Sequence, residues 1–302
     1  MFAVIVNQEA KEYSDKLLER VLSYLKIHDK IFELFNYTSS HKSVEVFKSA
    51  LNSDNSTMIL MGGDRSLRLL IQTAIDSNIK KNIGLIPIDS TNKSSECLQI
   101  SKDIEEACEM ICIGFSLNIS LGAVQLDNGE IYYFHHSANV GLKAEIIHQT
   151  ASLKSNKITH KGFYTINSLR KTLLERPKKF DVHYSDQTLV GTGLIIGNGE
   201  ILDKSSDLTI KRLLSSSLHS CLLTDNSKLP VAEFLLRDKL GDYSKMKQVE
   251  LFESEEILIH KPNIPISVDG EYVGNTPAKF WRLSNAYPII TNDYKSELLK
   301  KY

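Results

Sequence analysis

Long apolar runs are what this sequence most plainly lacks. No segment approaches the roughly 18 consecutive apolar residues that a helix needs to span a bilayer, so no transmembrane segment is expected. A dominant charge is missing too: 36 Lys and Arg against 37 Asp and Glu leave a net charge of −1. That balance gives no global attraction to nucleic acid, and no nucleic-acid partner is expected. Cysteine is sparse. Its four residues, Cys97, Cys108, Cys112 and Cys221, lack metal-type spacing, and buried thiols in a reducing cytoplasm are the expected state. The opening residues, MFAVIVNQEAKEY, carry a short apolar run with no basic region before it, which reads as a strand and not as a secretion signal. A cytoplasmic location is the expectation. No G-x-S-x-G nucleophile elbow occurs, which disfavours a lipid hydrolase.

What is present is an ordinary globular composition, 42% hydrophobic and 24% charged over 302 residues. That length suffices for two cores, since domains run about 100–200 residues. Residues 2–6 read as a buried strand, and Leu17, Leu18, Val21, Leu22 and Leu25 mark one face of a helix over 10–25. Strands at 31–37, 57–61 and 83–88 alternate with helical stripes: Val44, Phe47 and Leu51; residues 67–75; and Cys97, Leu98, Ile104, Cys108 and Ile111. Such alternation predicts a parallel sheet covered on both faces, with ligands beyond the carboxyl ends of its strands. From about Phe115 the pattern becomes period-two alternation broken by turns at Asp127-Asn128-Gly129, Asn198-Gly199 and Asp269-Gly270. Helical stretches interrupt it at 164–174 and 230–240. The expected class is α/β, with a parallel-sheet domain over 1–115 and a β-rich, sandwich-like domain over 116–287.

The chain is organised around residues 56–75, STMILMGGDRSLRLLIQTAI, an apolar run that ends in two glycines and an aspartate before helical periodicity begins. Gly62 and Gly63 at the end of a buried strand let backbone N–H groups approach an anion, and the helix start adds partial positive charge. Phosphate is the natural guest. The plainer reading is a strand-to-helix turn with Asp64 as the helix cap. Late in the chain, Asp269 and Glu271 flank Gly270. On an extended segment both carboxylates face the same way, so one can take a proton from an attacking hydroxyl while the other holds a metal or orients the first. On a two-residue hairpin, for which Asp-Gly is the commonest dipeptide, they splay as solvated turn acids.

Three further stretches carry less. Residues 168–180 put Arg170, Lys171, Arg176, Lys178 and Lys179 beside Leu169, Leu173 and Leu174, which suits anionic lipid or a solvated helix face. GTGLIIGNGE at 191–200 has no helix after it and reads as strand and turn, not as a dinucleotide loop. His135 and His136, on opposite faces of an expected strand, cannot share a metal.

MGGDRSL resembles, in eroded form, the G-G-D-G-[TS]-L loop of the diacylglycerol kinase catalytic-domain family, which includes bacterial lipid kinases and sphingosine kinases and is related in fold to NAD kinases and phosphofructokinases. Asn7 stands where that family has the asparagine of its first-strand motif, and Thr38 matches a threonine near the nucleotide. IGLIPIDSTNK resembles I-G-[IL]-[IL]-P-x-G-T-x-N-D, keeping Gly84, Pro87 and Asn92, with Ser90 for threonine. YFHHSANVGLKAEI keeps Gly141 and Ala144, and ISVDGEYVGNTPAKFWRLSNA aligns Asp269, Gly270, Glu271, Thr276, Pro277 and Ala286 with the family pattern. The departures are chemical. Arg65 replaces a third glycine, Asp89 replaces another, Lys93 and Lys143 replace aspartates, and the acidic D-D-G segment has no counterpart within 205–225.

The resemblance implies ATP at the two loops, contacted by Asn7, Thr38, Gly62, Gly63, Asp64, Arg65, Ser66, Pro87, Ser90 and Asn92, with Mg²⁺ at Asp64. It implies Asp269 or Glu271 as catalytic base toward a hydroxyl of a diacylglycerol-type lipid, met peripherally at the inner membrane surface. It also implies that the tail 288–302 folds back on the first domain, and it leaves room for a homodimer. Arg65 bears a left-handed backbone penalty if the glycine's conformation is kept, and it either blocks the loop or neutralises phosphate, with Arg68 on nearly the same helical face. Three readings stay open: an active lipid kinase with a degenerate site, a catalytically silent relative that binds nucleotide or lipid, and another phosphotransferase such as a NAD kinase. The last lacks the Asn-Glu that its family places after the glycine loop.

Overall fold

Apolar runs without alternation need cover on both faces, and the first third of the chain supplies it with helices. The structure, a computed structural model, describes residues 1–38, 40–89, 93–152, 176–198, 217–240, 243 and 245–292. The chain divides into two compact units, Met1–Ile119 with Asn285–Tyr302, and Ser120–Ser284.

In the first unit β1 (Phe2–Asn7), α1 (Asp15–Ile27), β2 (Phe32–Tyr37), α2 (Ser40–Asn52), β3 (Thr57–Gly62), α3 (Asp64–Asp76) and β4 (Asn82–Pro87) alternate as the periodicity predicts, followed by α4 (Lys93–Cys97) and α5 (Ile104–Ile113). The strands pair in parallel in the order β2-β1-β3-β4. Val4, Val6, Ile59, Met61 and Ile86 pack with Val21 and Leu25 of α1 and with Ile104, Cys108 and Ile111 of α5. The alternate residues Ile5, Leu60 and Leu85 point to the opposite face and are equally buried, which is why polar residues occur only at the ends of these strands, as Asn7, Thr57 and Asn82. The first helix starts later than the expected residue 10. Tyr13 N–H closes a turn on the Ala10 carbonyl, and Ser14 then caps α1 by accepting the Leu17 N–H at 3.2 Å. Asp103 caps α5 through the Glu106 N–H at 3.1 Å. At its far end β16 (Ala278–Ile290) returns to this unit, where Ile289 pairs in parallel with Ile83 and Thr291 Oγ1 donates to the Leu98 carbonyl at 2.7 Å. The helical end expected for the tail falls on 293–302, outside the described residues.

The second unit begins within β5 (Ser116–Leu126) and holds β6 (Ile131–Phe134), β7 (Ser137–Gly141), α6 (Leu142–Ser152), β8 (Phe180–Tyr184), β9 (Gln187–Gly191), β10 (Gly193–Gly197), β11 (Leu218–Leu223), α7 (Lys228–Leu240), β12 (Val249–Ser254), β13 (Glu256–Ile259), β14 (Pro265–Val268), β15 (Glu271–Asn275) and the first part of β16. Six strands form an antiparallel sheet in the order β12-β11-β10-β7-β14-β15. Val140, Leu194, Ile196, Leu222 and Ile266 on one face of that sheet pack with Phe180, Val182, Ile257 and Phe280 from β8, β13 and β16. On the other face Ile195, Cys221 and Leu223 lie under Leu142 and Ile146 of α6 and Val231 and Phe234 of α7. The α7 helix covers the expected 230–240, whereas α6 has no counterpart in the sequence reading. The expected helix at 164–174, the basic residues Arg170 and Lys171, and residues 205–216 of the stretch 205–225 where the D-D-G segment was sought lie outside the described residues. His135 and His136 are not on a strand as expected; they form the link between β6 and β7. Among the described residues no helix is long and apolar enough to cross a membrane.

Candidate functional site

In the first unit the carboxyl ends of the strands gather most of the residues singled out by sequence. Asn7 closes β1 and its Nδ2 donates to Ser66 Oγ at 3.3 Å, while the Tyr37 hydroxyl at the end of β2 donates to the same oxygen at 2.7 Å. Gly62 pairs with Pro87 across the β3–β4 ladder, and the Ile88 N–H donates to the Gly62 carbonyl at 3.2 Å. Both loop glycines sit in close approach to a neighbouring side chain. A Cβ at Gly62 would lie 2.9 Å from Ser66 Cβ, and one at Gly63 would lie 3.0 Å from both Cβ and Oδ2 of Asp89. Thr38 follows β2 and is exposed, and Ser90 and Asn92 lie outside the described residues.

Two expectations for this loop need correction. Asp64 does not cap α3: Gly63 is the N-cap, with φ −115°, and Asp64 is the first helical residue. Its Oδ1 instead accepts the Ser94 N–H at 2.8 Å and the Ser94 hydroxyl, so Asp64 holds the start of α4. Arg65 is helical and therefore carries no left-handed backbone penalty. It is exposed, while Arg68 is only 5% exposed, so the two arginines do not share an environment. The sequence reading missed Tyr37, whose register partner is Asn7. Burial pushes its hydroxyl up to about 12, which keeps it a proton-bearing donor.

In the second unit Asp269 and Gly270 form a two-residue turn, with φ +44° and +83°, between the paired residues Val268 and Glu271. The extended arrangement that would have faced both carboxylates the same way is not found, because the right-handed twist of β14 and β15 is matched by a turn with two positive φ angles. Nor is Asp269 a solvated turn acid. Its side chain is 1% exposed and accepts the backbone N–H groups of His135, His136 and Ser137 at 3.1, 3.0 and 2.9 Å. His135 Nδ1 stands 3.1 Å from its Oδ2. Burial alone would raise this carboxyl, but His135 and the N–H donors outweigh it and hold the group well below the usual carboxylate range. Glu271 opens β15, half-buried, and the next residue, Tyr272, packs its ring against His148 of α6 with centroids 3.9 Å apart and the planes tilted by 35°. Thr276 fixes the far end of the hairpin, accepting the Ile264 N–H at 3.1 Å and donating to the Lys261 carbonyl.

Residues 1–124 match the family model described as the diacylglycerol kinase catalytic domain. Over those residues the chain is similar to the diacylglycerol kinase catalytic-domain family, and over nearly its whole length to proteins named diacylglycerol kinase. A relative named diacylglycerol kinase from Staphylococcus epidermidis is 24% identical over 297 residues, covering 94% of this chain and 92% of its own. Another, from Staphylococcus saprophyticus, is 23% identical over 296 residues, covering 95% and 94%. A crystal structure of a diacylglycerol kinase from Bacillus anthracis superposes with a TM-score of 0.69 over 97% of each chain at 14% identity, a likeness of fold. The family's D-G-E and T-P positions are therefore occupied here by a buried turn acid, a strand-opening glutamate and a threonine that ties two loops. Its loop positions hold this chain's own Arg65 and Asp89.

Proposed function

We propose that this chain is an ATP-dependent lipid kinase that acts with Mg²⁺ on a hydroxyl of a diacylglycerol-type lipid, from the cytoplasm and at the inner membrane surface. The observation that carries this reading is the Asp269 clamp. A carboxylate with three backbone N–H donors and a depressed pKa is a poor proton acceptor, and its burial fixes the turn from which Glu271 emerges, so the base role goes to Glu271. Glu271 takes the proton of the lipid hydroxyl as that oxygen attacks the γ-phosphorus. The bond from this phosphorus to the bridging oxygen breaks, and ADP leaves with the electron pair.

Asn7, Thr38, the Gly62–Gly63 loop, Ser66, Pro87, Ser90 and Asn92 hold the nucleotide on this reading, with the N-terminus of α3 favouring its phosphates. The donor set suits a hard cation. Asp64 carries a carboxylate at the loop and Asp89 packs against the neighbouring Gly63, and magnesium in such sites takes one or two carboxylates with phosphate and water completing its shell. Mg²⁺ there neutralises charge on the phosphate oxygens when bound.

The silent-relative and NAD-kinase readings are not favoured by the family and its named members. A transfer assay with radiolabelled ATP against a lipid panel, in Mg²⁺ and Mn²⁺, tests the proposal. The parent should label a lipid, and Glu271→Gln should lower kcat by about 10²–10⁴-fold with ATP affinity nearly intact. A parent that binds ATP yet labels no lipid would return the silent-relative reading.

A further inference from the structure

Asp89 brings to the glycine loop of the first unit a second carboxylate that the family pattern does not have. It stands where the family has a glycine, directly after β4 and Ile88, and its side chain lies against the Cα of Gly63: a Cβ built there would meet Asp89 Cβ and Oδ2 at 3.0 Å and Cγ at 3.4 Å. Gly63 is the N-cap of α3, a helix of 13 residues. The carboxylate of Asp89 is thus stationed at the glycine loop and helix start where a phosphate would meet backbone N–H groups. Two anions in that space repel, and the repulsion is stronger in a half-buried site than in water.

We infer that Asp89 makes nucleotide binding obligatorily dependent on a divalent cation, so that the loop accepts the metal complex of a nucleoside di- or triphosphate and rejects the metal-free anion. The inference rests on the nucleotide reading given above and assigns a specificity-determining role within it. A glycine at this position would leave the loop's N–H groups and helix dipole to favour a bare phosphate. The carboxylate cancels that preference, and a cation shared between Asp89 and phosphate restores it.

Titration calorimetry with ADP, in excess Mg²⁺ and in EDTA, reads this directly and needs no catalysis. The parent should bind ADP at least tenfold more weakly in EDTA. Asp89→Gly should bind metal-free ADP at least tenfold more tightly than the parent does, so that most of its metal dependence disappears. Asp89→Asn keeps the side chain's size and removes its charge; it should behave like the glycine variant, and it carries the test if Asp89→Gly fails to fold. Equal ADP affinity with and without Mg²⁺ in the parent, or an unchanged ratio in a folded variant, would overturn the inference while leaving the nucleotide site standing. No ADP binding by the parent or either variant under any condition would overturn the nucleotide reading and this inference with it.

Discussion

Arg65 shows how a single backbone angle decides what a side chain can do. Read from sequence, an arginine in place of a glycine brings either strain or obstruction to the loop. In the structure it sits in the first turn of α3, helical and exposed, one residue beyond Asp64. Without strain, what remains is a cation on the helix that starts at the glycine loop, close enough to influence the Tyr37 hydroxyl. Arg65→Gly should therefore weaken ATP binding severalfold and destabilise the first unit by about 1 kcal/mol, the helix-propensity difference for glycine in a helical turn. Calorimetry and thermal melts check both, and tighter ATP binding by the variant would mean that the side chain obstructs the loop after all. Asp269 was legible as a residue and illegible as an environment. Its N–H donors come from positions 132 to 134 residues earlier in the chain, and no local pattern announces a convergence made by tertiary folding.

Elements were legible wherever periodicity was strong and flanked by turn chemistry. Strands β1, β3 and β4 are continuous apolar runs, and α3 and α5 carry clear stripes that the structure buries. The α6 helix escaped because it follows β7 without a linker and its apolar signal rests on little more than Leu142, Ala144 and Ile146. The hairpin β14–β15 was legible as an Asp-Gly turn, yet its consequence for the two acids depended on which backbone angles the dipeptide takes. Those angles make a separate test. Gly270 has φ +83°, and a Cβ there would meet nothing within 4 Å, so only conformation opposes a side chain. Gly270→Ala should cost about 1–2 kcal/mol, and Gly270→Asn distinctly less, since asparagine visits the left-handed region more readily. Urea unfolding of the two variants beside the parent measures this. Equal losses would show that the turn tolerates no side chain for some reason other than backbone angle.

At the scale of the whole molecule the fold class followed from one change of pattern: strands that alternate with helices, three of them near-continuous apolar runs, before about residue 115, and alternating strands with turn dipeptides after it. The same division permits a stability measurement confined to one unit. Trp281 is the chain's single tryptophan; it pairs with Glu256 and lies in Ser120–Ser284, the unit that contains Asp269. Its fluorescence therefore reports unfolding of that unit. Asp269 in the folded state has a carboxyl pKa lowered from an ordinary 3.8. A depressed folded-state value means that the unfolded chain binds the proton more readily, so the stabilisation is fully present above the ordinary pKa and is lost as pH falls toward the folded one. Asp269→Asn, which leaves N–H donors facing an amide, should lower stability by about 2 kcal/mol at pH 7, the worth of hydrogen bonds to a charged group. The gap between parent and variant should stay level from pH 7 to about pH 5 and narrow by about 1 kcal/mol by pH 3, where an unfolded aspartate is mostly protonated and the folded one is still ionised. Urea titrations followed by Trp281 emission at each pH supply both curves. A gap that is constant to pH 3, or that widens on acidification, would show that the Asp269 charge is not what holds the turn.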